Sequence, residues 1–312
     1  MGKKIKKILI TGALGQIGSG LKRNISNDTV REVIILDNLE SRRYPSLFDL
    51  PTGVKFRFIK DDVTTADFGK HLAGVDLVIH LANTNFYEGS QKAQKGVELA
   101  NLHKLKRIAT ACLENNVRLF FPSSTSVYVG QSAMVDETYQ NLKPQNLYTQ
   151  SKYACEKYLN QLGKIGLKYV VCRFGTIFGY SPGMRWDTAV NKFTWQAVVG
   201  EPITVWKTAW KQKRPYLYLG DCIKAINFVI DKDLFDKQIY NVITSSYTVE
   251  DVVIELKQFI PKLKITYVDS PIMNDLSFEV NDSKFRSLGF TPKGSLAVGI
   301  KGSIDKLRGI IL

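Results

Sequence analysis

The sequence predicts a doubly wound α/β fold built on a parallel sheet. Over the first half of the chain, short runs of β-branched residues alternate with amphipathic helical stretches, which is the pattern of βαβ units. The runs are almost continuously apolar, as expected for strands that helices cover on both faces. A glycine-rich segment follows the first run directly and opens a helical stretch. Together these features indicate a fold that binds its ligand at the carboxyl ends of the strands.

The periodicity of apolar residues gives approximate bounds for the elements of this first half. Strands are expected over 7–10, 33–36, 56–59, 77–81, 119–121 and 168–174. Helices are expected over 15–24 and 91–114. The second of these helices places an apolar stripe on one side, formed by Val97, Ala100, Leu105, Ile108 and Cys112.

The pattern changes after Gly179, where loops rich in Trp, Lys and Pro are expected. This irregularity predicts a smaller C-terminal substrate lobe. A further helix over 221–230 and a strand over 238–242 are expected to return to the sheet, so the two lobes interleave. We therefore expect a dinucleotide-binding domain over 1–175, joined by 214–243, and a substrate-binding lobe over 176–213 and 244–312.

Composition narrows the class of protein. The chain has 312 residues, of which 44% are hydrophobic, so it can bury an ordinary core. No apolar run approaches the roughly 20 residues that cross a bilayer, and the first apolar run is too short for a signal peptide. We expect a soluble cytoplasmic protein without membrane contact. The net charge of +14 is spread along the chain, which disfavours nucleic acid and suits a phosphate-bearing substrate.

The cysteines and histidines do not form a metal-binding pattern. The four cysteines lie far apart without a Cys-x-x-Cys pair, and the three histidines have no ligand spacing with them. We expect reduced core thiols and no metal. His80 and His103 are interpreted as packed or solvated side chains.

The glycine-rich segment has the features of a dinucleotide site. Gly12 permits a tight turn, Gly15 lets the backbone approach a pyrophosphate, and Gly18 lets the helix pack closely on the strand. Asp37 ends the second strand nineteen residues beyond Gly18 (37 minus 18), where a carboxylate accepts hydrogen bonds from an adenosine ribose. Because this acid repels a 2′-phosphate, the pattern favours NAD over NADP. The alternative is that the glycines only shape a turn and Asp37 caps a loop.

A second set of residues suits proton transfer. Tyr148 and Lys152 are four residues apart and therefore share one face of a helix. A tyrosine normally titrates near 10, so an adjacent ammonium and a positive nicotinamide are needed to favour its phenolate. Ser124 follows the end of a strand, where a hydroxyl can orient the alcohol of a substrate. In an arbitrary protein this spacing would more often mark a surface pair.

These landmarks together resemble the extended short-chain dehydrogenase/reductases, the NAD-dependent nucleotide-sugar epimerase/dehydratase family. Further matching landmarks, over nearly the whole chain, are Asp62-Val63, His80-Leu81-Ala82, Asn101, Val127-Tyr128, Arg173-Phe174 and Arg214-Pro215-Tyr216 ahead of Asp221. The resemblance implies a Rossmann-type domain, a nucleotide-sugar substrate and a homodimer formed through two helices of each subunit. It also implies that Ser124, Tyr148 and Lys152 form the catalytic triad, that Lys152 holds the nicotinamide ribose, and that Arg214 contacts the nucleotide diphosphate.

With this resemblance, the expected NAD-binding set can be stated in full. It comprises Gly12, Gly15, Gln16, Ile17, Gly18, Asp37, Asn38, Asp62, Val63, Leu81, Ala82, Asn101, Tyr148 and Lys152. The chain departs from the family at Val129, where the family has glycine and this chain has Gly130 one place later. It departs again at Asn83 and Asn85, where many relatives carry other residues. These changes concern the shape of the substrate pocket.

The residues after Ser124 favour one reaction over others. In 4,6-dehydratases of this family the two following positions are Asp and Glu, whereas here they are Thr125 and Ser126, which are poor acids and bases. Dehydration is therefore disfavoured. We expect a 4-epimerase that oxidises the sugar at C4 through Tyr148 and returns hydride to the opposite face. The alternatives are a 4-dehydrogenase that releases a 4-keto sugar and a catalytically silent NAD-binding or scaffold protein.

The segment after Gly179 is similar to the uronate 4-epimerase branch of the family, with Arg185 followed two residues later by Asp187. On this basis a carboxylate or further sugar hydroxyls are expected to contact Thr125, Ser126, Thr176 and Arg185, and Asn191 and Arg214 complete the expected substrate set. The alternative is that Arg185 and Asp187 pair only to close a loop. The four tryptophans, Trp186, Trp195, Trp206 and Trp210, are interpreted as core or interface residues more readily than as stacking platforms.

Overall fold

The computed structural model describes residues 4–26, 29–84, 91–129, 134–144, 146–269, 277–307 and 309–310. Within the helix over 91–114, the side chains of 91–95, 97 and 98 are outside this description. Asn85, Gly130 and the side chain of Val97, all used in the sequence interpretation, therefore lie outside the described residues.

A central sheet of seven parallel strands organises the chain, in the order β3-β2-β1-β4-β5-β7-β11. Its strands are β1 Lys7–Thr11, β2 Glu32–Asp37, β3 Lys55–Lys60, β4 Leu77–His80, β5 Arg118–Ser124, β7 Tyr169–Phe174 and β11 Ile239–Val242. The smaller sheets of the described residues contain β6 Met134–Val135, β8 Thr176–Phe178, β9 Ile203–Trp206, β10 Arg214–Tyr218, β12 Ser245–Tyr247, β13 Ile265–Val268 and β14 Glu279–Val280.

Helices cover both faces of the central sheet and form part of the second lobe. In the described residues they are α1 Gln16–Arg23, α2 Phe68–His71, α3 Gln91–Glu114, α4 Leu147–Lys164, α5 Ala189–Val198, α6 Leu219–Asp231, α7 Val249–Phe259, α8 Ser283–Arg286 and α9 Leu296–Leu307. Short 3₁₀ helices lie at Tyr44–Leu47, Thr125–Tyr128 and Lys207–Ala209. No helix of the part described has the length and apolarity needed to span a membrane.

The doubly wound parallel fold predicted from the sequence is confirmed. The strands β1, β2, β4, β5 and β7 are almost entirely buried, because each has neighbours on both sides and helices above and below. The exception is β3, which is mostly exposed because it is the edge strand. All four cysteines are buried and unpaired.

The second lobe is more regular than the loops expected after Gly179. Three helices form there, because each has a short apolar face that finds a partner only in the folded chain. Those faces share one core, which contains Val190, Phe193, Ala197, Val252, Val253, Leu256, Leu296 and Ile300. The strand β10 was expected to return to the main sheet, but it pairs with β8 and β12, and only α6 and β11 return.

A buried polar network fixes α4 against the sheet. Arg173 of β7 donates to both carboxylate oxygens of Glu156 of α4, at 2.9 and 2.6 Å. It also donates to the Tyr128 hydroxyl at 2.5 Å, and that hydroxyl donates to Asn241 Oδ1 on β11 at 3.1 Å. Ser123 Oγ donates to Glu156 Oε1 at 2.5 Å. The network therefore connects one helix with three neighbouring strands and the 3₁₀ helix after β5.

Glu156→Gln should destabilise the protein strongly, because it leaves the Arg173 guanidinium buried without its counter-charge. We expect the free energy of unfolding to fall by about 3 kcal/mol in urea titrations. The control is Asp269→Asn, which breaks the exposed Lys207–Asp269 pair and should cost less than about 1 kcal/mol. Equal, small losses in the two variants would contradict the role given to the buried pair.

Candidate functional site

A cleft of about 1280 Å³ runs along the carboxyl ends of the central strands. Its walls come from the turn between β1 and α1, from the ends of β2, β4 and β5, from the start of α4, and from the segment that joins β8 to α5. This is the edge where ligands bind in open parallel sheets, at the point where the strand order reverses. The cleft therefore lies where the sequence placed a site.

The glycine turn forms one end of the cleft and depends on close backbone contacts. Gly12 has a φ of +63°, and a Cβ on it would lie 2.5 Å from the Cα of Ala82. A Cβ on Gly18 would lie 2.6 Å from the carbonyl oxygen of Ala13, so no larger residue fits there without a shift. The helix α1 begins after Gly15 with no side chain capping its N terminus. Its first backbone N–H groups are thus suited to an anionic ligand.

Asp37 lies beside this turn at the end of β2. Its Oδ2 accepts from the backbone N–H of Leu14 at 3.0 Å, and its Oδ1 accepts from that of Leu39 at 3.0 Å. Next to it, Asn38 donates to Asp62 Oδ2 at 2.7 Å. Burial acts to raise the pKa of Asp62, but hydrogen bonds from Thr64 and Asn38 and the charge of Lys104 hold this pKa below its usual value. This end of the cleft is acidic and rich in acceptors.

Most of the expected cofactor residues line the cleft. They are Gly12, Gly15, Gln16, Ile17, Gly18, Asp37, Asn38, Asp62, Val63, Leu81, Ala82, Tyr148 and Lys152. The side chain of Gln16 is engaged elsewhere, because its Nε2 donates to the carbonyl oxygen of Gly179 at 3.0 Å. Asn101 is buried behind the cleft, where its amide bonds both the N–H and the C=O of Thr84 at 2.9 Å. These two amides therefore hold backbone in position.

Ser124, Tyr148 and Lys152 converge at the other end of the cleft. Asn146 caps the start of α4 in a capping box with Thr149, which sets the position of Tyr148 within the first turn. The Tyr148 hydroxyl is hydrogen-bonded with Ser124, and the Ser124 and Ser126 hydroxyls lie 2.6 Å apart. Lys152 Nζ lies 5.9 Å from the centre of the Tyr148 ring and donates to the carbonyl oxygen of Pro122 at 2.9 Å.

The charge states at this end depend on burial. Desolvation raises the pKa of Tyr148, and the hydrogen bond with Ser124 only partly offsets that effect. Burial lowers the pKa of Lys152 to about 8, although Cys155 and Glu156 act in the opposite direction. The tyrosine is therefore a neutral donor near neutral pH in the ligand-free protein. A further positive charge must arrive beside it before the phenolate is favoured.

The expected substrate residues divide into two groups. Ser126, Thr176 and Arg185 line the cleft, and Arg185 is paired with Asp187 through bonds of 3.0 and 2.7 Å. Thr125 is buried with its hydroxyl bonded to the carbonyl oxygen of Phe174 at 3.3 Å, so it faces away from the cleft.

Two other expected substrate residues also lie away from the cleft lining. Asn191 is buried, and it accepts from the N–H of Gly179 and donates to the carbonyl oxygen of Arg185 at 2.8 Å. It therefore holds the loop that carries Arg185. Arg214 donates to Gln212 Oε1 at 3.0 Å, and its guanidinium lies 5.4 Å from the centre of the Phe278 ring.

Four cleft residues were not anticipated as site residues. Arg43, Lys104, Trp186 and Lys192 line the cleft, and Trp186 packs on Trp195 with ring centres 5.3 Å apart. Arg43 was missed because it lies in an irregular segment beyond Asp37. Its proximity to the glycine turn is itself a long-range contact, with Nη1 lying 3.7 Å from where a Cβ of Gly15 would be. The cationic side chains among these residues suit a ligand that carries phosphates.

His80 has no role in proton transfer near neutral pH. Its Nδ1 lies 2.8 Å from the Thr11 hydroxyl, and burial together with the charges of Lys152 and Lys104 lowers its pKa to about 3. In the ranges that the structure describes, no group of three or more His, Cys, Asp or Glu side chains is arranged to hold a metal ion.

Known proteins with related sequences and structures are sugar-nucleotide enzymes. A protein of Bacillus subtilis (strain 168) described as an uncharacterized UDP-glucose epimerase is 32% identical over 234 residues, which are 72% of this chain and 73% of that protein. The structure of UDP-N-acetylglucosamine 4-epimerase from Methanobrevibacter ruminantium M1, in complex with UDP-N-acetylmuramic acid, is 25% identical. It superposes with a TM-score of 0.85 over 97% of this chain and 100% of that one.

A third relative was solved with its cofactor. The complex of UDP-glucose 4-epimerase from Thermus thermophilus with NAD is 25% identical, with a TM-score of 0.79 over 97% of this chain and 99% of that one. The sequence pattern of the NAD dependent epimerase/dehydratase family matches residues 8–242, which include the glycine turn and the Tyr148 and Lys152 pair. On these grounds, the chain belongs to the NAD dependent epimerase/dehydratase family.

Proposed function

We propose that this protein is an NAD-dependent nucleotide-sugar 4-epimerase. The observation that carries the proposal is the convergence of Ser124, Tyr148 and Lys152 at one end of a cleft whose other end is a glycine turn beside Asp37. One end suits a dinucleotide and the other suits the removal of a proton from an alcohol. The related 4-epimerases and the family to which the chain belongs support the same reaction.

The residues present fit NAD. The open N terminus of α1 would receive the pyrophosphate, and the Asp37 carboxylate would accept from the adenosine ribose. The cradle depends on glycine, since a Cβ on Gly12 would collide with Ala82. Lys152 would hold the nicotinamide ribose. When bound, the nicotinamide supplies the acceptor and the donor of hydride for the reaction.

The chain's own residues would move the proton. Ser124 orients the C4 hydroxyl of the sugar, and Tyr148 takes the proton of that hydroxyl as C4 loses hydride, giving a 4-keto sugar. The raised pKa of Tyr148 means that its phenolate forms only when positive charge is next to it, from Lys152 and from the oxidised cofactor. After the sugar turns over, hydride returns to the other face and Tyr148 gives the proton back. No external reductant is consumed.

Dehydration is disfavoured by the acids of the cleft. Among the described residues, the carboxylates lining it are Asp37, Glu40, Asp61, Asp62 and Asp187. The first four lie at the adenosine end, and Asp187 is held by Arg185 with its pKa kept low by that contact against the effect of burial. Beside Ser124 are only Thr125, which faces inward, and Ser126. This leaves elimination of water without a suitable acid and base.

For substrate recognition, we propose that Ser126, Thr176 and Arg185 contact the sugar, with Asn191 supporting the Arg185 loop. The residues expected from the sequence to form a substrate lobe, over 176–213 and 244–312, contribute a core of their own. Arg185 is half neutralised by Asp187, so it favours hydroxyl or carboxylate groups that can share this pair. The role of Arg214 toward a nucleotide diphosphate would require it to leave Gln212.

The reaction is tested by incubating purified protein with NAD and a panel of UDP, GDP, CDP and dTDP sugars. We expect NMR to detect a sugar inverted at C4, with no lasting absorbance of reduced nicotinamide. Tyr148→Phe should lower kcat by about 10²-fold to 10⁴-fold while leaving NAD binding intact, because only the proton acceptor is lost. Stoichiometric NADH with a keto sugar would instead identify a 4-dehydrogenase, and no turnover would favour a silent NAD-binding protein.

Asp37 should determine the choice of cofactor. We expect NADP to bind much more weakly than NAD, because its 2′-phosphate would meet this carboxylate. Asp37→Asn should narrow the ratio of the two dissociation constants by about tenfold. Fluorescence titration of both cofactors on both proteins measures that ratio. An unchanged ratio in the variant would exclude Asp37 as the discriminating group.

We also propose a homodimer formed through α3 and α4 of each subunit. The two helices pack side by side, joined by a bond of 3.0 Å between the Thr110 and Tyr158 hydroxyls. On α3, Leu99 is 67% exposed, which suits an apolar contact with a second copy. Sedimentation analysis should give twice the mass of the 35.2 kDa chain. Leu99→Asp should shift it to the monomer, and a monomeric wild-type protein would refute the proposal.

A further inference from the structure

A fully buried lysine lies beneath the glycine turn. The side chain of Lys22, on α1, has no exposed surface, and it is not part of the cleft wall. Its Nζ donates to the carbonyl oxygen of Ala13 at 2.7 Å and to Ser46 Oγ at 3.0 Å. Burying an amine is costly, and an aliphatic side chain would fill the same space without that cost. The two bonds indicate what the lysine does there.

The first bond fixes one peptide group of the turn. The carbonyl of the Ala13–Leu14 peptide accepts from Lys22, while the N–H of the same peptide donates to Asp37 Oδ2 at 3.0 Å. A potential cation thus holds one end of this peptide and an anion holds the other. Rotating the peptide would break both bonds at once. Its orientation determines how the backbone between Gly12 and Gly15 faces the cleft.

The second bond anchors the neighbouring segment. Ser46 lies in the 3₁₀ helix Tyr44–Leu47, directly after Arg43. The next residue of α1, Arg23, donates to the carbonyl oxygens of Ser46 at 3.2 Å and Pro45 at 3.3 Å, and to that of Phe48. Two consecutive side chains of α1 therefore hold this segment. It carries Arg43, which lies over Gly15 at the cleft.

We infer that Lys22 is a positioning residue for NAD. It holds the Ala13–Leu14 peptide and the Arg43 segment in the arrangement that receives the pyrophosphate. This inference rests on the proposed function, because it requires that the glycine turn bind NAD. It assigns no contact with the cofactor to Lys22 itself.

The chemistry of a buried amine is consistent with this role. Burial lowers the pKa of Lys22 to about 7, with Arg23 acting in the same direction and Asp37 opposing it. A neutral amine still has two N–H donors, which match its two acceptors. Both hydrogen bonds therefore persist on either side of neutral pH, and the lysine acts as a double donor.

Lys22→Met tests the inference, because methionine keeps the length of the side chain and removes both donors. We expect calorimetric titration to give a dissociation constant for NAD about tenfold larger than that of the wild type. Urea unfolding without NAD should give an unchanged or higher stability, since an apolar side chain replaces a buried amine. A purely structural lysine would lower stability and leave the affinity of the folded protein for NAD unchanged.

Two further variants separate the two bonds and provide a conservative replacement. Ser46→Ala removes only the bond to the Arg43 segment and should weaken NAD binding less than Lys22→Met does. Combined with Lys22→Met it should add no further loss, because the two residues share one interaction. Lys22→Gln retains an N–H donor at shorter reach, so its NAD affinity should lie between those of the wild type and Lys22→Met. It also carries the test if Lys22→Met does not fold.

Wild-type affinity for NAD in both Lys22→Met and Lys22→Gln would overturn the inference. Equal losses in Ser46→Ala and Lys22→Met would overturn the part that concerns the Ala13–Leu14 peptide. Failure of the wild-type protein to bind NAD at all would refute the proposed function instead.

Discussion

The buried ion pair between Glu156 and Arg173 is the interaction on which the catalytic end of the cleft depends. Glu156 lies one helical turn after Lys152, and Ser123, which donates to it, directly precedes Ser124. Tyr128, bonded to the same arginine, continues the contact to Asn241 at the edge of the sheet. A shift of α4 along β7 would leave a charge unpaired in the core, which is unfavourable. The register of α4 on the sheet, and with it the geometry of the triad, is therefore fixed from behind.

The cofactor end is fixed in a comparable way, but mainly through backbone. Asp37 holds the glycine turn by its N–H, and the collision that any Cβ on Gly12 would cause sets how closely Ala82 approaches. The second lobe adds contacts from the other side: Gln16 donates to the Gly179 carbonyl, and Ser181 Oγ donates to the Gln16 carbonyl at 2.9 Å. The segment that carries Arg185 is thus attached to the start of α1. The sugar end and the pyrophosphate end of the cleft consequently share one support.

Local patterns in the sequence were sufficient where each element has one clear signal. The strands of the main sheet are continuous apolar runs, so their positions and parallel order followed from periodicity and the βαβ alternation. The helices of the second lobe could not be found in this way, because their short apolar faces are recognisable only once Val190, Val252 and Leu296 meet. The edge strand β3 was found although its residues are mostly exposed, because its sequence still alternates with helical segments.

The sequence by itself determined the fold class, the glycine turn, Asp37 and the Tyr148 and Lys152 pair, because each is encoded by residues that are close along the chain. Only the tertiary structure decided which expected substrate residues reach the cleft: Ser126, Thr176 and Arg185 do, whereas Thr125 bonds the backbone of β7. It also decided that Arg43 lies over Gly15 and that Lys22 is buried beneath the turn. The direction in which a side chain points depends on neighbours that are distant in sequence, and such neighbours leave no pattern at short spacing.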